Sequence, residues 1–143
     1  LTLTEIKRII AIDYGEKRVG IAITDPLRIF AYPLITLNND SALLQNINKL
    51  LNEYDCERII LGYPLKESGE HSSSTKIVIE FKEELSKATV LPIDLVDERY
   101  SSSIAQQRII ESVPSKKKRR DKSLVDKNAA CIILEDYLAA LNK

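Results

Sequence analysis

The run Ile9-Ile10-Ala11-Ile12 is apolar at every position and ends directly in Asp13. A short unbroken apolar run marks a strand buried on both faces, because neither side meets solvent. Such a strand needs a layer above it and a layer below it, which confines the fold to sheets covered on two sides. Tyr14-Gly15-Glu16-Lys17 then supplies a turn, with a glycine for its awkward dihedral. Arg18 to Thr24 returns as a second strand with Gly20 in its interior. An interior glycine marks a bulge or the close approach of another backbone or a ligand. The expectation is a hairpin that opens a sheet and holds one carboxylate at its rim. Aspartate is also an ordinary turn residue, so Asp13 by itself decides nothing.

Beyond the hairpin, Arg28 to Leu37 reads as a third strand, with Pro33 best placed near an end or an edge. Asn38-Asn39-Asp40-Ser41 offers several helix N-caps. Leu43, Leu44, Ile47, Leu50, Leu51 and Tyr54 recur at helical spacing, which predicts an amphipathic helix over 42–54. Arg58 to Leu61 is a short buried strand stopped by Gly62-Tyr63-Pro64, and Lys66 to Ser74 is a polar loop. Thr75 to Lys87 is again helical through Ile77, Val78, Phe81 and Leu85, and Val90 to Val96 is a strand ending in Asp97-Glu98-Arg99. Ser103 and Gln106 have capping-box spacing for a helix reaching about Glu111. Val113 to Lys122 is a basic loop, and Ser123 to Leu141 is the last and longest helix. A meander of strands followed by alternating strand and helix implies an α/β fold with a mixed five-stranded sheet and helices on both faces. A chain of 143 residues without an internal repeat is expected to form one domain over 1–143.

What the chain lacks narrows its chemistry. Cys56 and Cys131 have no metal-ligand spacing, and the single histidine, His71, lies in the polar Gly/Ser stretch. A zinc site or a Ser-His-Asp hydrolase is therefore not expected. Unpaired cysteines fit a reducing compartment, no apolar run reaches membrane-spanning length, and no signal peptide opens the sequence. The expectation is a cytoplasmic protein with no membrane contact. Lysine and arginine total 21 against 21 acidic residues, so only local charge can argue for a nucleic-acid partner.

Three carboxylates fall where a sheet and a helix could gather them: Asp13 at the end of the first strand, Glu98 after the last, and Asp126 early in the final helix. In an open α/β sheet, ligands bind outside the carboxyl ends of the parallel strands. Asp126 would join that edge if the face bearing Ala129, Ala130 and Ile133 packs on the sheet. Each acid has a plain structural use as well. Asp126 stands three residues after Ser123, the spacing of a capping box, and Glu98 beside Arg99 could be a solvated ion pair. Together they suggest more, because clustered carboxylates without a positive partner repel one another and hard oxygen ligands suit Mg2+ or Mn2+. Two such ions about 3.5–4 Å apart stabilise the attacking and leaving oxygens of phosphodiester cleavage without any histidine or cysteine.

Five motifs in order carry a family resemblance: Ile12-Asp13-Tyr14-Gly15, Lys17-Arg18-Val19-Gly20-Ile21-Ala22, Gly62-Tyr63-Pro64-Leu65, Asp97-Glu98-Arg99-Tyr100-Ser101-Ser102 and Asp126-Lys127-Asn128-Ala129-Ala130. The chain resembles the YqgF/RuvX family from about Ile6 to Leu138. Its members are described as nucleases maturing the end of pre-16S rRNA or as Holliday-junction resolvases. The resemblance implies a ribonuclease-H-like fold, a Mg2+- or Mn2+-dependent nuclease, and metal-binding roles for Asp13, Glu98 and Asp126. It leaves pre-rRNA and branched DNA both open as substrates. A fourth acid is frequent in that fold, and Asp97 is the nearest candidate, though strand alternation points it away from the face of Glu98. Two other classes are weighed. Actin-like sugar kinases also open on an acid-x-Gly hairpin, but they need a second domain and more Gly-rich segments than four glycines supply. A non-catalytic nucleic-acid-binding module would keep the basic loop and use no metal.

Ser115-Lys116-Lys117-Lys118-Arg119-Arg120-Asp121-Lys122 packs six positive charges shortly before Asp126. A charge run can be no more than a solvated segment. Next to a metal-carboxylate site, Lys116, Lys117, Lys118, Arg119 and Arg120 are candidates to meet phosphates on either side of a scissile bond. Lys17, Arg18 and Arg99 are further candidates, although Lys17 and Arg18 could instead pair with Glu16 and Asp25. Replacing Lys116 to Arg120 with neutral residues is expected to weaken RNA or DNA binding and to flatten its dependence on salt, since each neutralised phosphate adds to that slope. A titration at several salt concentrations checks this; an unchanged slope would reduce the loop to a linker.

Overall fold

The computed structural model describes residues 7–64, 72–97, 107 and 122–141. Strand β1 (Arg8–Tyr14) carries the apolar run and buries Ile9, Ile10, Ala11 and Ile12 almost completely. It pairs antiparallel with β2 (Arg18–Thr24), which pairs antiparallel with β3 (Ala31–Asn38). On its other side β1 runs parallel to β4 (Cys56–Tyr63), and β4 runs parallel to β5 (Ile93–Asp97). The order is β3-β2-β1-β4-β5 in one mixed five-stranded sheet. Gly15 closes the first hairpin, where a Cβ would sit 2.5 Å from the carbonyl oxygen of Arg18.

Strand alternation divides the apolar residues between two layers. Ile10, Ile12, Val19, Ile21 and Ile23 face α1 (Leu43–Glu53) and α2 (Ser73–Ala88), meeting Leu43, Ile47, Leu51, Val78, Phe81 and Leu85. Ile9, Ala11, Ala22 and Ile60 face the other way and meet Ala130, Cys131, Ile133, Leu134 and Leu138 of α3 (Lys122–Leu141). Each fully buried isoleucine or leucine contributes about 1.5–3 kcal/mol relative to exposure. The two layers differ in side-chain size. Branched residues from β1 and β2 fill the α1/α2 side, whereas alanines and Gly20 on the other side let α3 lie close to the sheet.

Several boundaries differ from the sequence reading. The third strand begins at Ala31, because the Asp25 carboxylate accepts the amides of Leu27 (3.2 Å), Ile29 (2.8 Å) and Phe30 (2.7 Å) and curls the chain between them. Arg28 sits in the left-handed region with φ 59°. Pro33 does lie on the edge strand, and Leu34 is the extra residue where the β2–β3 register shifts. Gly62 does not stop β4; Gly62 and Tyr63 stay in the ladder opposite Val96 and Asp97. Helix α1 begins after Ala42 with no side-chain cap, although Asp40 Oδ1 accepts the Ala42 amide. Helix α2 starts earlier than expected, through a reciprocal Ser72–Thr75 capping box. Cys56 and Cys131 are both buried, and burial pushes the Cys56 thiol up to about 11. Apart from Gln107 and Lys122, the helix expected before Glu111 and the basic loop expected from Val113 to Lys122 lie outside the described residues. Among those described, no helix is long and apolar enough to cross a membrane.

The Asp25 turn generates a pH-dependent prediction. Partial burial raises the carboxyl pKa, but the amides of Phe30, Ile29 and Leu27 outweigh it and hold the group below its ordinary 3.8. A carboxyl lowered by folding stabilises the fold above its unfolded value, and that stabilisation disappears as pH falls through the folded value. Asp25→Ala should therefore lower stability at neutral pH, by an amount that solvent screening keeps small. Thermal melts of both proteins from pH 7 downward check this, with the gap in Tm expected to narrow as the pH falls below the ordinary carboxyl value.

Candidate active site

Because β1, β4 and β5 run parallel, their carboxyl ends share one edge of the sheet. Asp13 is the penultimate residue of β1. Its neighbour Tyr14 turns to the opposite layer and stacks on Phe81 of α2, with ring centroids 4.1 Å apart and planes 18° from parallel. That stack anchors the end of β1 from one side. Alternation places Asp13 with Ile9 and Ala11, on the face that α3 covers.

The register pairs Asp13 with Gly20 on β2. Gly20 shares that face with Ala22, and its missing side chain is occupied by helix backbone. A Cβ at position 20 would overlap the carbonyl group of Asp126 and lie 2.9 Å from the amide nitrogen of Lys127. Asp126 thus lies directly over the register partner of Asp13, on the same side of the sheet. The interior glycine does mark a close approach, and the approaching backbone is that of α3.

Helix geometry explains why Asp126 faces the sheet. Asp126, Ala130, Ile133 and Tyr137 recur at the spacing of one helical stripe. Ala130 and Ile133 pack on β1 and β2 residues. Tyr137 donates its hydroxyl to Asp94 Oδ2 of β5 at 3.2 Å, and Arg58 of β4 donates to the same oxygen at 2.7 Å. Burial raises the Tyr137 pKa, and the adjacent Asp94 charge adds to the effect. Eleven residues separate Asp126 from Tyr137, about 16 Å along a helix. The helix is therefore tied to the sheet near both ends of this stripe.

The tie at Asp126 corrects one expectation. Arg18 Nε donates to Asp126 Oδ2 at 2.8 Å, so this carboxylate has a positive partner. Among the described residues, the ion pair of Arg18 is with Asp126 rather than with Glu16 or Asp25. The side chains are 34% and 23% exposed, which leaves the pair partly shielded from solvent. Charge-assisted bonds of this length are stronger than neutral ones. Arg18 and Gly20 lie two residues apart on β2 and face α3 together. Nothing local to Arg18 in the sequence names this partner.

Lys17 is exposed in the hairpin, where its carbonyl accepts the Asn39 amide at 3.0 Å. Asp97 shares its face with Ile93 and Leu95, opposite to Asp94 and Val96, as alternation requires. Glu98, Arg99, Lys116, Lys117, Lys118, Arg119 and Arg120 lie outside the described residues. Among the described residues no group of three His, Cys, Asp or Glu side chains could hold a metal ion. The two acids that β1 and α3 bring to one face, Asp13 and Asp126, are hard oxygen donors. The Asp126 backbone lies over Gly20, the register partner of Asp13, and carboxylate oxygens are donors that suit Mg2+ or Mn2+ rather than a soft metal.

Comparison with known proteins adds to this geometry. A family model described as "RuvX: Holliday junction resolvase" matches residues 7–140. A protein of Chlorobium phaeobacteroides (strain BS1) named "Putative pre-16S rRNA nuclease" is 45% identical over 134 residues, covering 93% of this chain and 92% of its own. One of the same name from Porphyromonas gingivalis (strain ATCC BAA-308 / W83) is 43% identical over 132 residues, covering 92% and 95%. Among solved structures, T. thermophilus RuvC in complex with Holliday junction substrate superposes with a TM-score of 0.58 at 12% identity, covering 94% of this chain and 96% of that one. The Fowlpox virus resolvase with its substrate Holliday junction DNA gives 0.55 at 18% identity, covering 95% and 99%. At these identities the likeness is one of fold, and the fold is ribonuclease-H-like.

Gly20 is the position at which this geometry is most easily broken. Gly20→Ala must push the α3 backbone off β2, because the overlap is with main-chain atoms that cannot swing away. Overpacking of this kind costs about 1–3 kcal/mol. A urea titration should show a lower midpoint for Gly20→Ala, whereas an unchanged midpoint would mean that α3 does not rest on this glycine.

Proposed function

The chain belongs to the RuvX family, and from that premise we propose that it is a Mg2+- or Mn2+-dependent nuclease that hydrolyses phosphodiester bonds in maturing the 5′ end of pre-16S rRNA. The observation that carries the reading is the seating of the α3 backbone on Gly20 of β2, the register partner of Asp13, which puts Asp13 and Asp126 on one face of the sheet. The substrate follows the name shared by relatives at 43–45% identity over more than nine-tenths of this chain.

In this reading Asp13 and Asp126 hold the cation from two elements of the fold. Glu98, the residue that follows β5 in sequence, completes the set. When bound, the cation supplies water activation and charge stabilisation at the leaving oxygen. The remaining work belongs to the protein. The β1–β2 ladder and the Tyr14–Phe81 stack keep the Asp13 backbone still, and Arg18 orients the Asp126 carboxylate. Lys17, Arg99 and Lys116 to Arg120 are assigned to the phosphates flanking the scissile bond.

A second substrate has its own support. The family description names Holliday junction resolvases, and two structures of the same fold are resolvases bound to junction DNA. One assay separates the readings: cleavage of precursor ribosomal RNA, a plain single strand and a four-way DNA junction in Mg2+ or Mn2+. Selective cutting of the precursor is expected, and cutting of the junction alone would move the assignment to branched DNA. Asp13→Asn is expected to lower cleavage by about 100-fold or more, since metal catalysis supplies several kcal/mol. Full activity in Asp13→Asn would remove the metal mechanism. Binding without cleavage in the unaltered protein would leave a nucleic-acid-binding module.

A further inference from the structure

We propose that Arg18 determines which divalent cation the site accepts, by occupying one oxygen of Asp126. The inference rests on the reading of Asp126 as a metal ligand. An ionised carboxylate offers two oxygens, and it can serve a cation through one or through both. Here Oδ2 accepts from Arg18 Nε at 2.8 Å, which occupies one of its lone-pair sites and sets a guanidinium charge beside it, so Oδ1 is the oxygen that a cation reaches with less repulsion. Mg2+ keeps octahedral geometry and binds carboxylates through single oxygens, and Mn2+ favours the same octahedral oxygen shell. Ca2+ takes six to eight oxygens and uses both oxygens of a carboxylate where they are free. A carboxylate restricted to one oxygen therefore loses more of its value to Ca2+ than to the smaller ions.

The restriction is built into the fold. Asp126 is held at its main chain by packing on Gly20 and at its carboxylate by Arg18, both from β2. Turning the carboxylate to present both oxygens would break a charge-assisted bond in a partly buried place. Nearby positive charge opposes every dication, so removing Arg18 is expected to raise affinity in general. The ratio between cations is the quantity that reports on the occupied oxygen. A direct phosphate contact by Arg18 makes a different prediction, since it would change nucleic-acid affinity and leave cation preference alone.

The test is calorimetric titration of the full chain with Mg2+, Mn2+ and Ca2+, without nucleic acid. The proteins are the unaltered chain, Arg18→Leu, Arg18→Lys and Asp126→Asn, each checked for folding by a circular-dichroism melt. Arg18→Leu should gain Ca2+ affinity relative to Mn2+ by about tenfold. Arg18→Lys, which keeps a cation able to engage one oxygen, should hold the original preference. If Arg18→Leu melts early, Arg18→Gln gives the same comparison with a neutral polar side chain. Loss of binding in Asp126→Asn with an unchanged Mn2+/Ca2+ ratio on removing Arg18 overturns this proposal alone. Unchanged cation binding in Asp126→Asn overturns the ligand assignment and this proposal with it.

Discussion

Where α3 crosses β2, the backbone of Asp126 rests on a residue without a side chain, and the geometry of the candidate site depends on that contact. Protein interiors pack as densely as organic crystals, so a methyl group inserted there has nowhere to go. The small residues around it extend the same condition along the interface. Ala11 and Ala22 on the sheet and Ala130 on the helix are fully buried against one another's elements. Larger residues at these positions would lift the helix, and Asp126 would rise with it. Most of the branched residues of β1 and β2, from Ile10 to Ile23, are on the other face, where α1 and α2 can meet them at ordinary distance.

The sheet supplies the second fixed reference. Parallel neighbours need crossover connections, and α1 and α2 provide that run of chain between β3, β4 and β5. The result is a common edge at which β1, β4 and β5 end together. A side chain borne by a ladder residue is held more rigidly than one on a loop, which suits a group that must meet a cation at a defined distance. Asp13 has that support twice, from its pairing with Gly20 and from the Tyr14–Phe81 stack next to it.

Charge in this fold is used at the joints between elements. Arg18 with Asp126 joins β2 to α3, and Arg58 with Asp94 and Tyr137 joins β4, β5 and α3. Arg28 with Glu57 links the β2–β3 turn to β4. Exposed ion pairs of this kind add little stability, and the partly buried ones act mainly by fixing orientation. That distinction bears on function, because the acid tied by Arg18 is also one that the family resemblance marks for metal binding. The balanced overall charge says nothing of this pairing, whereas the basic segment from Lys116 to Arg120 is legible as a local run.

Residue type and local pattern were enough to read β1, β2, α1 and the long final helix, because burial leaves an unbroken apolar run on a doubly covered strand and a 3.6-residue rhythm on a helix such as α1. The mixed sheet followed from the order of those patterns, and Asp13 was recognisable as an acid delivered by a buried strand. The start of β3 and the continuation of β4 through Gly62 were misread because each depends on hydrogen bonds to partners that no local pattern names. The same holds at the site with greater consequence. Gly20 announced that something would come close, yet only folding decided that it was the backbone of Asp126. Arg18 was visible as a cation, yet its partner lies 108 residues along the chain. Side-chain chemistry and local rhythm are properties of the chain itself; which acid meets which base is decided by how a helix seats on a sheet, since that requires two distant segments to be packed at once.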